Sequence, residues 1–148
     1  MMKNTLLGFI AFCSLVIASV ASADLIDIDN KKLRSLIDEG VPVIDVRRLD
    51  EWNETGVIKD SHLMTFFDRE GNYDAQKWFD ELSESINPEE PFVLICHSGA
   101  RSLSVGKWLG QQFDTVYNAK AGIVSWIEDD NETIPAEGAT DETASESE

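Results

Sequence analysis

One cysteine of this sequence stands in surroundings that suit a nucleophile. Cys96 follows Phe92-Val93-Leu94-Ile95, a strongly apolar run, and opens the stretch Cys96-His97-Ser98-Gly99-Ala100-Arg101-Ser102. The next apolar positions, Val105, Trp108, Leu109 and Phe113, fall at helical spacing. Cys96 to Arg101 is therefore predicted to be a strand-to-helix turn. In an open α/β sheet ligands bind at the carboxyl ends of strands, where a helix N-terminus offers free N–H groups and a positive dipole end. Such a place favours an anion, and it favours a thiolate. Gly99 lets the backbone turn inward, and Arg101 supplies a fixed charge with a planar fork for an oxyanion. The plainer alternative is that Cys96 is a buried, small apolar side chain.

The elements that must hold this loop are legible from periodicity. Leu25-Ile26-Asp27-Ile28 alternates weakly, and Asp29 or Asn30 can cap a helix carrying Leu33, Leu36 and Ile37 on one face, stopped by Gly40. Val41 to Val46 reads as a strand buried on both faces of a parallel sheet. From Leu49 to Gly71 the pattern is poor: Glu51-Trp52 suggests a helical turn ended by Gly56, and His62 to Phe66 a short strand. Asp74 can cap a helix with an apolar stripe at Trp78, Phe79, Leu82 and Ile86, broken by Asn87-Pro88. Thr115-Val116-Tyr117 is a last strand, followed by an amphipathic turn around Ile123, Trp126 and Ile127. This β/α alternation predicts an α/β layered domain with a mostly parallel central sheet. Each of Trp52, Trp78, Trp108 and Trp126 falls on an apolar helical face and is expected in the core.

The chain has 148 residues, with 12 Lys plus Arg against 28 Asp plus Glu and a net charge of -16. That length suits one domain, and so acidic a chain, lacking a basic cluster, is not expected to bind nucleic acid. Residues 1–23 combine one cation at Lys3, an apolar run from Leu6 to Val20, and Ala21-Ser22-Ala23, the pattern of a secretory signal peptide. The run falls short of the roughly 20 residues a spanning helix requires. Cleavage would remove Cys13, leave Cys96 as the single cysteine, and give a periplasmic or otherwise exported protein with no stable membrane insertion. The folded domain is expected over 24–128. Residues 129–148 hold acidic but no basic side chains and are expected to form a disordered tail.

The order Asp45-Val46-Arg47, Glu51-Trp52, Gly56, the loop Cys96 to Ser102, and Val116-Tyr117-Asn118 through Gly122-Ile123 to Trp126 resembles a single-domain rhodanese. The resemblance covers about Leu25 to Ile127 and implies a three-layer rhodanese-like fold. It implies a sulfurtransferase in which Cys96 takes up a sulfane sulfur as a persulfide and passes it to a thiol or cyanide, with no cofactor. On that likeness Cys96 is the nucleophile, and His97, Ser98, Gly99, Ala100 and Arg101 bind the persulfide and a small anionic donor such as thiosulfate. Asp45 and Arg47 are read as supports for the loop and for the Glu51 turn, with a plain surface ion pair as the other reading. The chain departs from the family pattern at Gly56-Val57-Ile58, at Asp60-Ser61, and at Ala121, where a glycine is frequent.

Two other chemistries bear on these residues. Dual-specificity phosphatases share this fold but hold five residues between Cys and Arg, whereas four lie between Cys96 and Arg101. His62 and His97 with Cys96 do not provide the paired ligand spacing of a zinc site, so no metal is expected. A non-enzymatic module that binds anions or senses oxidants through Cys96 is the rival from another class.

Overall fold

The computed structural model describes residues 24–136 apart from 88, 110–112 and 114. The expected signal peptide, 1–23, and the tail beyond Ala136 lie outside the described residues. Five strands, β1 (Asp24–Ile28), β2 (Val43–Asp45), β3 (His62–Leu63), β4 (Phe92–Ile95) and β5 (Thr115–Ala119), alternate with five helices, α1 (Asn30–Asp38), α2 (Leu49–Thr55), α3 (Ala75–Ser85), α4 (Ala100–Leu109) and α5 (Gly122–Glu128). The sheet order is β1-β5-β4-β2-β3, and every pairing of named strands is parallel.

β4 is central because all four of its residues are apolar and fully buried. Alternate side chains go to opposite faces. Phe92, Leu94 and Cys96 join Trp78 and Leu82 of α3 and Val105 and Leu109 of α4. Val93 and Ile95 join Leu33 and Leu36 of α1 and Ile123 and Trp126 of α5. The result is three layers, helix on sheet on helix. Each such buried aliphatic or aromatic side chain contributes about 1.5–3 kcal/mol through removal from water. Because all strands run in one direction, their carboxyl ends share one rim, and Cys96 sits on it at the end of β4.

The capping expectations are met: the Asp29 carboxylate accepts from the Lys32 amide at 2.8 Å, and that of Asp74 from the Lys77 amide at 3.0 Å. Two expectations are corrected. Trp108 is not in the core; it is 36% exposed, its ring centroid 6.1 Å from that of Phe66. Helical spacing put it beside Val105 and Leu109, but the stripe is too wide for the sheet to cover. The folded body also extends past 128. Ile134 bridges Val57 with backbone bonds of 2.9 Å in both directions, Thr133 Oγ1 donates to the Thr55 carbonyl at 2.9 Å, and Trp126 Nε1 donates to the Glu132 carbonyl at 2.9 Å. Residues 129–136 are thus packed on the domain. Their polar composition conceals this because each of these bonds ends on a backbone carbonyl, which composition does not report.

Candidate active site

The loop after β4 is held against the start of α5. The amides of Ile123 and Val124 donate to the carbonyls of Cys96 (2.9 Å) and His97 (3.2 Å). The backbones come so close that glycine is required on both sides. Gly99 has φ +93°, and a Cβ there would lie 2.1 Å from the Lys120 carbonyl oxygen; Gly122 has φ +64°, and a Cβ there would lie 2.3 Å from the His97 carbonyl oxygen. The glycine missing at Ala121 is therefore not the one that this contact needs.

Cys96 is 1% exposed. Its Sγ accepts from the Gly99 amide at 3.1 Å and lies 3.4 Å from Ser102 Oγ. His97, Ser98 and Ala100 are exposed and Gly99 is buried, so the loop presents its side chains outward and turns its backbone toward the sulfur. Of the five residues expected to bind substrate, Gly99 is the one with a contact to Sγ among the described residues. Ser102, absent from that set, is the second neighbour of the sulfur.

Arg101 was expected to offer its guanidinium to an anion from outside. Instead its Nη1 and Nη2 donate to both carboxylate oxygens of Glu51, at 2.8 and 2.5 Å. Burial opposes ionisation of Glu51, but the hydrogen bonds from Arg101 and the Arg48 amide, with the two arginine charges, outweigh it and hold the carboxyl at about 2. The hydrogen bond to Glu51 raises Arg101 against its own partial burial. An internal anion thus occupies the fork, whereas in the sequence Glu51 reads as part of a helical turn and of the family resemblance, with no partner marked. An acid one turn into α2 could have been recognised as a partner only if α2 were known to lie across the rim from α4.

Asp45 and Arg47 explain that placement. Both are essentially fully buried, 1% and 0% exposed, so the surface ion-pair reading is replaced by the supporting one. Arg47 Nη2 contacts Asp45 Oδ2 at 2.7 Å, and its Nε reaches both Asp45 oxygens. The same guanidinium donates to Thr55 Oγ1 (2.7 Å), to the Gly56 carbonyl (2.9 Å) and to the Glu51 carbonyl (3.3 Å). Of these, the Gly56 carbonyl, at the C-cap of α2, has no helical partner of its own. Arg47 therefore ties the end of β2 to α2 and fixes the helix from which Glu51 reaches Arg101.

A buried cysteine at the carboxyl end of the central parallel strand, a tight four-residue turn to an arginine, and the rhodanese-like domain matching residues 29–129 decide the family. The chain belongs to the rhodanese-like family. Rhodanese-like domain-containing protein 17 of Arabidopsis thaliana is 27% identical over 132 residues, 85% of this chain and 85% of that protein. Thiosulfate sulfurtransferase 18 of the same plant is 21% identical over 117 residues, 75% of this chain and 85% of that one. Among solved structures, the polysulfide-sulfur transferase homodimer of Wolinella succinogenes is 28% identical, with a TM-score of 0.59 over 80% of this chain and 85% of that one. The rhodanese-like fold thereby accounts for the three layers and for the position of the loop. No helix of the described residues is long and apolar enough to cross a membrane.

Proposed function

We propose that this protein is an exported sulfurtransferase that carries a sulfane sulfur as a persulfide on Cys96. The observation that carries the reading is the contact of the Gly99 amide with Cys96 Sγ at the base of the loop. A backbone N–H aimed at the sulfur beside the start of α4 is the donor that a transferred sulfur would meet inside the loop.

The chemistry balances without an oxidant. The Cys96 thiolate attacks the outer sulfur of a sulfane donor such as thiosulfate or polysulfide. The donor's S–S bond breaks, its remainder leaves with the electron pair, and a new S–S bond joins that sulfur to Sγ. A thiolate or cyanide then attacks the terminal sulfur and releases the Cys96 thiolate. The similarity to a polysulfide-sulfur transferase and to a thiosulfate sulfurtransferase supports this donor class. The apolar run and Ala21-Ser22-Ala23 support export.

A second reading, a thiol module that binds or senses without turnover, is favoured by one observation: Glu51 already neutralises Arg101. Intact mass of the mature protein before and after thiosulfate or polysulfide, then after cyanide, separates them. The proposal expects a gain of one sulfur atom that cyanide removes as thiocyanate, repeatedly. Loading without turnover favours the module, and no loading overturns the proposal. Hydrolysis of an aryl phosphate faster than sulfur transfer would also overturn it.

A further inference from the structure

Behind Cys96 lies a chain of buried polar groups that the sulfur-transfer reading does not use. Ser102, on the first turn of α4, is 0% exposed, and Asn118, on β5, is 1% exposed. Ser102 Oγ lies 2.6 Å from Asn118 Oδ1, and Asn118 Nδ2 lies 2.7 Å from Asp27 Oδ1 on β1. Asp27 and Asn118 face each other in register across the parallel β1–β5 pair. Asp27 is exposed.

The direction of these bonds follows from chemistry. A carboxylate only accepts, so the Asn118 amide must turn its N–H toward Asp27 and its oxygen toward Ser102. An amide oxygen also only accepts, so it takes the single hydroxyl proton of Ser102. The other oxygen near that hydroxyl, the Gly99 carbonyl, lies farther away at 3.2 Å and also receives the Leu103 amide at 3.0 Å, so the 2.6 Å bond to Asn118 takes the proton. Ser102 is left with lone pairs, 3.4 Å from Cys96 Sγ. Lone pairs can accept an S–H but oppose a negative sulfur, while the Gly99 amide on the other side favours one.

We propose that Asp27 and Asn118 are positioning residues that orient the Ser102 hydroxyl away from Cys96 and so hold the resting sulfur as a thiol. The assignment rests on Cys96 being the sulfur carrier, and it adds a control on when that sulfur becomes nucleophilic. Stabilising the thiolate from this side as well needs Ser102 to give up the 2.6 Å bond to Asn118 and turn its proton to Sγ. Without Asp27 the Asn118 amide is free to reverse, donate to Ser102, and direct the hydroxyl proton onto the sulfur.

The other charged groups around the thiol are Arg101 of α4 with its partner Glu51 of α2, and Asp45 with its partner Arg47 at the end of β2. Lys120, whose backbone abuts Gly99, and the exposed His97 complete the set. None of them is altered in the test, which measures alkylation of Cys96 by iodoacetamide against pH in the whole mature protein. Asp27→Ala, a change at an exposed site, should move the profile to lower pH by at least half a unit, about a threefold gain in rate on the acidic limb. Loss of a negative charge alone would do the same through space, so the comparison is repeated with Ser102→Ala present. The orienting role predicts that the Asp27→Ala shift vanishes in that background. A shift of equal size without Ser102, or no shift with it, overturns the proposal. Alkylation needs no sulfur donor. A Ser102-dependent shift in a protein that thiosulfate and polysulfide do not load would therefore leave this control standing while the sulfurtransferase reading fell.

Discussion

Glu51 and Arg101, fifty residues apart in sequence, meet in a two-point carboxylate–guanidinium contact that joins α2 to the start of α4. A donor anion that uses Arg101 must therefore share the fork with Glu51 or displace it. Glu51→Gln keeps the shape and removes the competing charge. The expected outcome is tighter binding of a divalent donor, read as a lower KM for thiosulfate, with kcat changed less. A higher KM would mean that Glu51 serves by holding Arg101 in place.

The same pair sets an acid limit. Glu51 is held at about 2 against an ordinary 4.5, so its contribution to stability is complete above about 4.5 and is lost as pH falls from there through 2. Wild type should lose its advantage over Glu51→Gln across that window. Urea unfolding at several pH values checks this; a difference independent of pH would refute it.

Gly99→Ala should cost about 1–3 kcal/mol, because its Cβ would meet the Lys120 carbonyl at 2.1 Å in a left-handed conformation. It should also abolish most sulfur loading, since the displaced amide is the one bonded to Cys96. Thermal melts and loading assays measure the two effects separately.

Arg47→Met leaves Asp45 buried and unpaired and should destabilise the protein by about 3–5 kcal/mol. Asp45→Leu combined with Arg47→Met should recover a large part of that loss in denaturant unfolding. Loading should not recover with it, because α2 would still lack the donor that ties down its C-terminal end.

Two truncations locate the end of the folded body. Removal of residues 137–148 should leave the melting temperature nearly unchanged, whereas removal of 130–148 should lower it, since the Thr133–Thr55 and Ile134–Val57 bonds would be lost.

Local patterns carried most of the architecture. The continuous apolar run of β4, the Asp29 and Asp74 caps and the turn at Cys96 each depend on neighbours in sequence, and each was readable there. Glu51, Asn118 and Asp27 were not recognised as partners of the loop. Their roles arise from the sheet order, which brings β1 beside β5 and α2 beside α4, and a single acid or amide carries no mark of its distant partner. Trp108 failed for a related reason: spacing tells which face of a helix is apolar, but not how far the neighbouring sheet reaches around it.

The first amides of α5 find their acceptors in the carbonyls of Cys96 and His97. The Cys96 loop is thus the cap of a helix on the opposite side of the sheet, and the two cannot come apart independently. Hydrogen–deuterium exchange at Ile123 and Val124 should then report each opening of the loop, including openings too brief to change any average structure. A ligand that tightens the loop would slow the clock at those two amides before any other part of α5 responded.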